Sequence, residues 1–248
     1  MSEQPTIQLL PIEEWELKIK AFSPVKLLDV ATGHGGFLFQ LLDWFPNGKS
    51  FLGIDLLPKA IEHAKNTIAT DERYRVEVVD AHAMDYPSES FDVVAISNSL
   101  HHMLVPSTVL NEMYRVLHRN GLLIVFEMFS NEQTETQMTH VLFHRWWAKV
   151  DSELGVPHFP TFTKQKIVDL ISRLPYSACW ISEFADLRIE AHDSGIVDRL
   201  RTSVPQYLER AKGLADFVEI QRESVELLKR LERVGVHPAT QILIALKK

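Results

Sequence analysis

The chain has little of what would place it outside a reducing compartment, within a membrane or on a nucleic acid. Cys179 is the one cysteine among 248 residues, which excludes an intrachain disulfide framework. No apolar run approaches the roughly 20 residues that span a bilayer. No basic-then-apolar leader opens the sequence, so a cytoplasmic protein without a membrane partner is expected. Basic charge is also scarce: 26 Lys and Arg against 33 Asp and Glu leave a net charge of -7. A nucleic-acid surface would need the opposite balance, so no nucleic-acid partner is expected. Internal repeats and low-complexity tracts are missing too. What is present is a hydrophobic content of 46%, enough for the core of one α/β domain with additions.

The most informative stretch is VKLLDVATGHGGF, Val25 to Phe37. An apolar run carrying Asp29 reads as a buried strand, Gly33, Gly35 and Gly36 as a loop that approaches a ligand, and the apolar residues after it as a helix. Dinucleotides and S-adenosylmethionine both use such loops. A carboxylate at the strand end would repel a pyrophosphate, and the third glycine of the dinucleotide fingerprint is replaced by Leu38. A sulfonium and an ammonium group tolerate that acid, so S-adenosylmethionine is the expected cofactor.

The segment resembles motif I of the class I S-adenosylmethionine-dependent methyltransferases, with Asp29, Gly33 and Gly35 in register. Ala31 stands at the first glycine of the pattern, as in the subset that resembles the ubiquinone and menaquinone C-methyltransferases. It is tolerable there on the expectation of a negative φ. The resemblance implies a doubly wound, mostly parallel seven-stranded sheet, with Ala31, Thr32 and the glycines against the cofactor. KSFLGID ends on Asp55, where the family's ribose-binding acid sits, with Leu56 beside it. RVEVVD ends on Asp80, which inherits the adenine amino group, with Ala81 and His82 following. Met84 reads equally as a purine contact or as core. FDVVAIS runs into Asn98, which resembles motif IV and faces both cofactor and acceptor, and then into His101 and His102, candidate general bases. After a helix over 106–119 stopped by Asn120 and Gly121, another strand ends on Glu127, an orienting group or base. A helix over 163–174, a long strand over 178–190 and a last strand over 239–247 complete the pattern.

Two insertions have no family counterpart. Residues 128–162 carry His140, His144, Trp146 and Trp147, which are expected to wall the acceptor. Residues 192–236 read as two amphipathic helices. The domain division is a helical segment over 1–24 and a methyltransferase domain over 25–248, whose insertions form a cap or a homodimer surface. No metal is expected, although His140 and His144 are four apart. The resulting function is in-line methyl transfer to a small-molecule acceptor, with S-adenosylhomocysteine as product. A non-methylating user of the cofactor, such as the carboxy-S-adenosylmethionine synthases, and a cofactor-binding regulatory protein are the alternatives.

Overall fold

The computed structural model describes residues 6–68 and 71–248. Strands and helices alternate as β1 (Ile7–Leu9), α1 (Ile12–Lys20), β2 (Lys26–Val30), α2 (Gly36–Trp44), β3 (Ser50–Asp55), α3 (Pro58–Ile68), β4 (Tyr74–Val78) and β5 (Phe91–Ser97). A 3-10 turn over Leu100–His102 leads to α4 (Pro106–Val116), β6 (Leu117–Met128), α5 (Glu135–Glu153), α6 (Lys164–Ile171), β7 (Ala178–Phe184), α7 (Ser194–Ala211), α8 (Phe217–Val234) and β8 (Gln241–Lys247). The sheet order is β1-β7-β8-β6-β5-β2-β3-β4, with β8 antiparallel to both neighbours and the other pairs parallel. Successive strand residues point to opposite faces. Leu28, Val30 and Ile96 therefore pack toward α4 and α6, while Leu27, Phe51 and Val93 pack toward α1, α2 and α3.

The α/β, mostly parallel architecture is the expected one. Among the described residues the sheet has eight strands rather than seven, because Ile7–Leu9 adds a parallel edge strand on β7. Three residues are too few for a periodic signal. The helix expected over 106–119 ends at Val116, since Leu117 is already extended and pairs with Phe91. Asn120 and Gly121 lie inside β6 instead: Asn120 takes φ 63°, and a Cβ on Gly121 would meet the Asp92 carbonyl at 2.8 Å. The long strand over 178–190 stops at Phe184, opposite the first residue of β8, beyond which it has no partner. The amphipathic spacing after Asp55 predicts a helix over 57–69; α3 is observed as Pro58–Ile68, and Ala69 lies outside the described residues, as do residues 1–5 of the N-terminal segment.

The two insertions join into one helical layer. Thr134 caps α5 through a reciprocal bond with Gln137. Phe143, Trp146 and Val150 of α5 share a buried cluster with Leu200 and Val204 of α7 and Ile220, Leu227 and Leu231 of α8. The apolar residues that suggest a dimer face on sequence alone are thus covered largely within the chain. Among the described residues no helix is long and apolar enough to cross a membrane.

Trp146 is 3% exposed, and its indole N–H donates to the Ile220 carbonyl at 3.0 Å. It braces α5 against α8 and does not wall an acceptor. Replacing Trp146 by Ala should destabilise the protein by about 3–5 kcal/mol. Chemical denaturation followed by far-UV circular dichroism measures this, and a loss below about 1 kcal/mol would mean that the cap tolerates the cavity.

Candidate functional site

Because β2 is flanked by β3 on one side and β5 on the other, the chain reverses its winding there, which opens a crevice at the strand C-termini. The loop between β2 and α2 enters that crevice. Ala31, Gly33 and Gly35 have φ of 55°, 56° and 82°. The negative φ expected for Ala31 is therefore wrong: its side chain occupies the left-handed region, at a cost of roughly 1–2 kcal/mol. The loop is stitched to the sheet by three bonds. Thr32 N donates to the Ile54 carbonyl at 2.8 Å, Thr32 Oγ1 donates to Asp29 Oδ2 at 2.6 Å, and Gly33 N donates to Asp55 Oδ2 at 3.0 Å.

The Asp29 and Thr32 side chains, 1% and 5% exposed, bond each other and lie beneath the loop rather than on its open side. They hold the loop's shape from beneath. Burial pushes the Asp29 carboxyl up to about 7, against the opposing Thr32 hydrogen bond and with added repulsion from Asp55. Gly53 makes room for this pair, since a Cβ there would meet Thr32 Oγ1 at 2.7 Å.

Asp55 stands at the rim. Its Oδ2 accepts from Gly33 N and its Oδ1 from Leu57 N at 2.9 Å, which leaves a lone pair on each oxygen. Leu56 beside it is exposed. Asp80 follows β4 in a loop rather than ending the strand, and its Oδ1 accepts from His82 N and Nδ1 at 2.8 and 2.9 Å. Those two bonds hold its carboxyl below the usual range. Ala81 is buried behind it, and Met84 belongs to the core cluster.

The acceptor end departs further from expectation. Asn98, at φ 45°, spends its amide inside the protein: Oδ1 accepts from Met128 N at 2.9 Å and Nδ2 donates to Gln241 Oε1 at 3.2 Å. It ties β5 to β6 and β8, which is a correction to its place on the acceptor. Glu127 is 0% exposed and accepts from Ser99 N at 3.1 Å, Leu100 N at 3.0 Å and His101 Nδ1 at 2.6 Å. With three donors on its two oxygens, this carboxyl positions the turn after β5 and the His101 ring. His140 accepts from Ala239 N at 3.0 Å and fixes α5 on β8, so it too is structural. Trp147 donates to Ser203 Oγ at 3.2 Å and packs on Tyr207, inside the cap.

His101, His102 and His144 do meet, and His158 joins them. Ring centroids are 4.4 Å apart for His101 and His102, 4.7 Å for His101 and His144, and 4.2 Å for His102 and His158. His158 is held by Asp151, which Tyr207 and Arg210 of the other insertion also bond. Burial, reinforced by the neighbouring imidazoles, pushes His102 down to about 4 and His144 down to about 2, so both rings are neutral. His158 is among the insertion histidines that the sequence offers as bases, whereas Asp151 is the member that the sequence reading left out. Asp151 lies seven residues after His144, two helical turns on, and so shares its face of α5.

Residues 28–125 match the family described as Methyltransferase domain. A ubiquinone/menaquinone biosynthesis C-methyltransferase of Geotalea daltonii is 30% identical over 141 residues, 56% of this chain and 59% of that protein. A demethylmenaquinone methyltransferase of Deinococcus radiodurans is 33% identical over 108 residues, 43% of this chain and 44% of that protein. The chain thus spans about half the length of these curated relatives. The crystal structure of the YcgJ protein from Bacillus subtilis shares the fold, with a TM-score of 0.59 at 16% identity, covering 95% of this chain and 97% of that one.

Two outcomes follow from the loop. Replacing Ala31 by Gly should raise stability by about 0.5–1 kcal/mol, the relieved left-handed strain exceeding the added unfolded-state entropy; an unchanged melting temperature would show that the loop relaxes around Ala31. The Asp29 pKa is raised on folding, so the native state holds the proton more tightly and stability falls as pH rises from about 4 through about 7. Replacing Asp29 by Asn should flatten that slope in melts between pH 5 and 7.5, and a slope equal to the parent's would clear Asp29 of it.

Proposed function

With residues 28–125 forming a class I S-adenosylmethionine-dependent methyltransferase domain, we propose that the chain transfers the methyl group of S-adenosylmethionine to a small-molecule acceptor. The observation that carries this is Asp55. It grips the glycine loop through Gly33 N while keeping one lone pair on each oxygen for two vicinal hydroxyls such as those of a ribose. Asp80 and Ala81 take the adenine end. Gly33 and Gly35 let the backbone approach the methionyl end, which directs the sulfonium toward the acceptor side of the crevice.

In the transfer, an acceptor lone pair forms a bond to the methyl carbon as the carbon–sulfur bond breaks, and the sulfonium leaves as the neutral thioether S-adenosylhomocysteine. The protein's contribution is to hold the nucleophile in line at near-attack distance and keep water out. An oxygen or carbon acceptor also sheds a proton. His101 is oriented by Glu127 and His102 by the Pro157 carbonyl, at 3.1 Å from Nδ1, so each presents Nε2 with a free lone pair. The acceptor class is kept at a small molecule; the relatives' names point to quinones, but only about half of each relative is matched.

Replacing Asp55 by Ala should weaken S-adenosylmethionine binding by about 1.5–3 kcal/mol, the scale of hydrogen bonds to a charged group. Isothermal titration with S-adenosylmethionine and its demethylated product measures it. Unchanged affinity would remove Asp55 from the site, and no binding to the parent protein would overturn the cofactor.

A further inference from the structure

Four histidines converge from two parts of the chain that only the fold brings together. His101 and His102 sit in the 3-10 turn after β5, His144 on α5, and His158 in the segment that returns from α5 to the sheet. One ring nitrogen from each lies within 4.8 Å of the other three. His101 and His158 are 1% and 6% exposed, and His144 is 9% exposed.

The partners of these rings fix their tautomers. His101 Nδ1 faces Glu127, His158 Nδ1 faces Asp151 at 2.7 Å, and His102 Nδ1 faces the Pro157 carbonyl. All three partners accept, so all three Nδ1 atoms carry a proton, and in the neutral ring the lone pair is on Nε2. His144 Nε2 then donates to His158 Nε2 at 3.2 Å, leaving His144 Nδ1 bare. Neither His101 Nε2 nor His144 Nδ1 has a hydrogen-bond partner, although both are buried. Lone pairs gathered away from water with nothing to accept are unfavourable unless a cation meets them.

A ring held at one nitrogen by a carboxylate or carbonyl, with the other nitrogen bare and facing its fellows, is how histidine is prepared for metal ligation. We propose that His101, His102, His144 and His158 bind one divalent late first-row transition-metal ion, of the zinc and cobalt class, at the acceptor end of the crevice. An all-imidazole set suits these ions and disfavours magnesium or calcium, which take oxygen ligands. Metal–nitrogen bonds of about 2.0–2.1 Å in a tetrahedron put the nitrogens about 3.4 Å apart, so the cluster contracts modestly on binding. His144 supplies its lone pair through Nδ1, or through Nε2 once its proton moves to Nδ1. A ring whose lone pair is on the metal is no longer a base. In the loaded protein His101 and His102 would therefore not serve as general bases, and four imidazoles around the ion close its coordination shell. Because the ligands come from both the sheet and the cap, the ion also staples one to the other.

The test is independent of methyl transfer. Chelator-stripped protein is titrated with cobalt(II), then zinc. The expected result is one equivalent bound at micromolar concentration or tighter, visible bands of four-coordinate cobalt that zinc removes, and a melting temperature several degrees higher with zinc. His144→Ala and His158→Ala should each weaken binding at least tenfold, whereas His140→Ala, outside the cluster, should leave it unchanged. No saturable binding to the parent protein overturns the proposal, as does equal binding by folded His144→Ala protein. S-adenosylmethionine affinity, measured on the same samples, reports separately on the methyltransferase reading.

Discussion

The buried carboxylate of Glu127 is the interaction on which the acceptor side depends. An ionised group without water is costly unless donors surround it, and here two backbone amides and one imidazole do so. The amides are those of Ser99 and Leu100, so the carboxylate on β6 fixes how the chain leaves β5. The imidazole is that of His101, so the same carboxylate sets its tautomer and aims its Nε2. Asp151 does the equivalent for His158 from the cap, with Arg210 and Tyr207 completing its shell. Two enclosed carboxylates, one on the sheet and one on the cap, thereby orient rings toward a common point.

The cofactor side is built differently, from neighbouring strands and the loop between them. Asp29 pairs in register with Gly53, and the absent side chain at Gly53 is the space that Thr32 fills to reach Asp29. Gly33 then falls beneath Asp55, 22 residues ahead in sequence. The parallel register of β2 and β3 determines this arrangement, so once the two strands are recognised the positions of Gly33 and Asp55 follow. That is why the strand, loop and strand unit and the place of Asp55 at the end of β3 were legible in the sequence. The inward role of Asp29 was less so, although LGID held the signal: a glycine in the middle of an otherwise large-residue buried strand marks a close approach.

The acceptor side was legible only in part, for a physical reason. An amphipathic helix announces that one face is buried, but not against what. Residues 135–153 carry His140, His144, Trp146 and Trp147 within two turns, and the pattern alone gives each the same claim on a pocket. In the fold they diverge. Trp146 turns into the cap, Trp147 to α7, His140 to β8, and His144 to the 3-10 turn. The partners that decide this lie 43 to 99 residues away in sequence, beyond any local reading.

The cap meets the crevice through few contacts, and this determines what can alter acceptor choice. Phe159 N donates to the His101 carbonyl at 2.9 Å, and Ser130 N to the Phe162 carbonyl at 2.9 Å, so both ends of the first insertion are pinned beside the 3-10 turn. Gln137 reaches the Pro238 carbonyl and Thr240 Oγ1, anchoring the start of α5 to the approach of β8. Between these anchors α5 is positioned by the helices packed behind it and, on the sheet side, by His140, which accepts from Ala239 N, and by Val141 packed on Met128 and Ala239. The α5–α8 core thus bears on the place of His144 relative to His101 and lies apart from the glycine loop. On the proposed methyl-transfer reading, cofactor and acceptor therefore rest on different halves of the fold, joined where Ser99 Oγ donates to the Ala31 carbonyl at 3.4 Å.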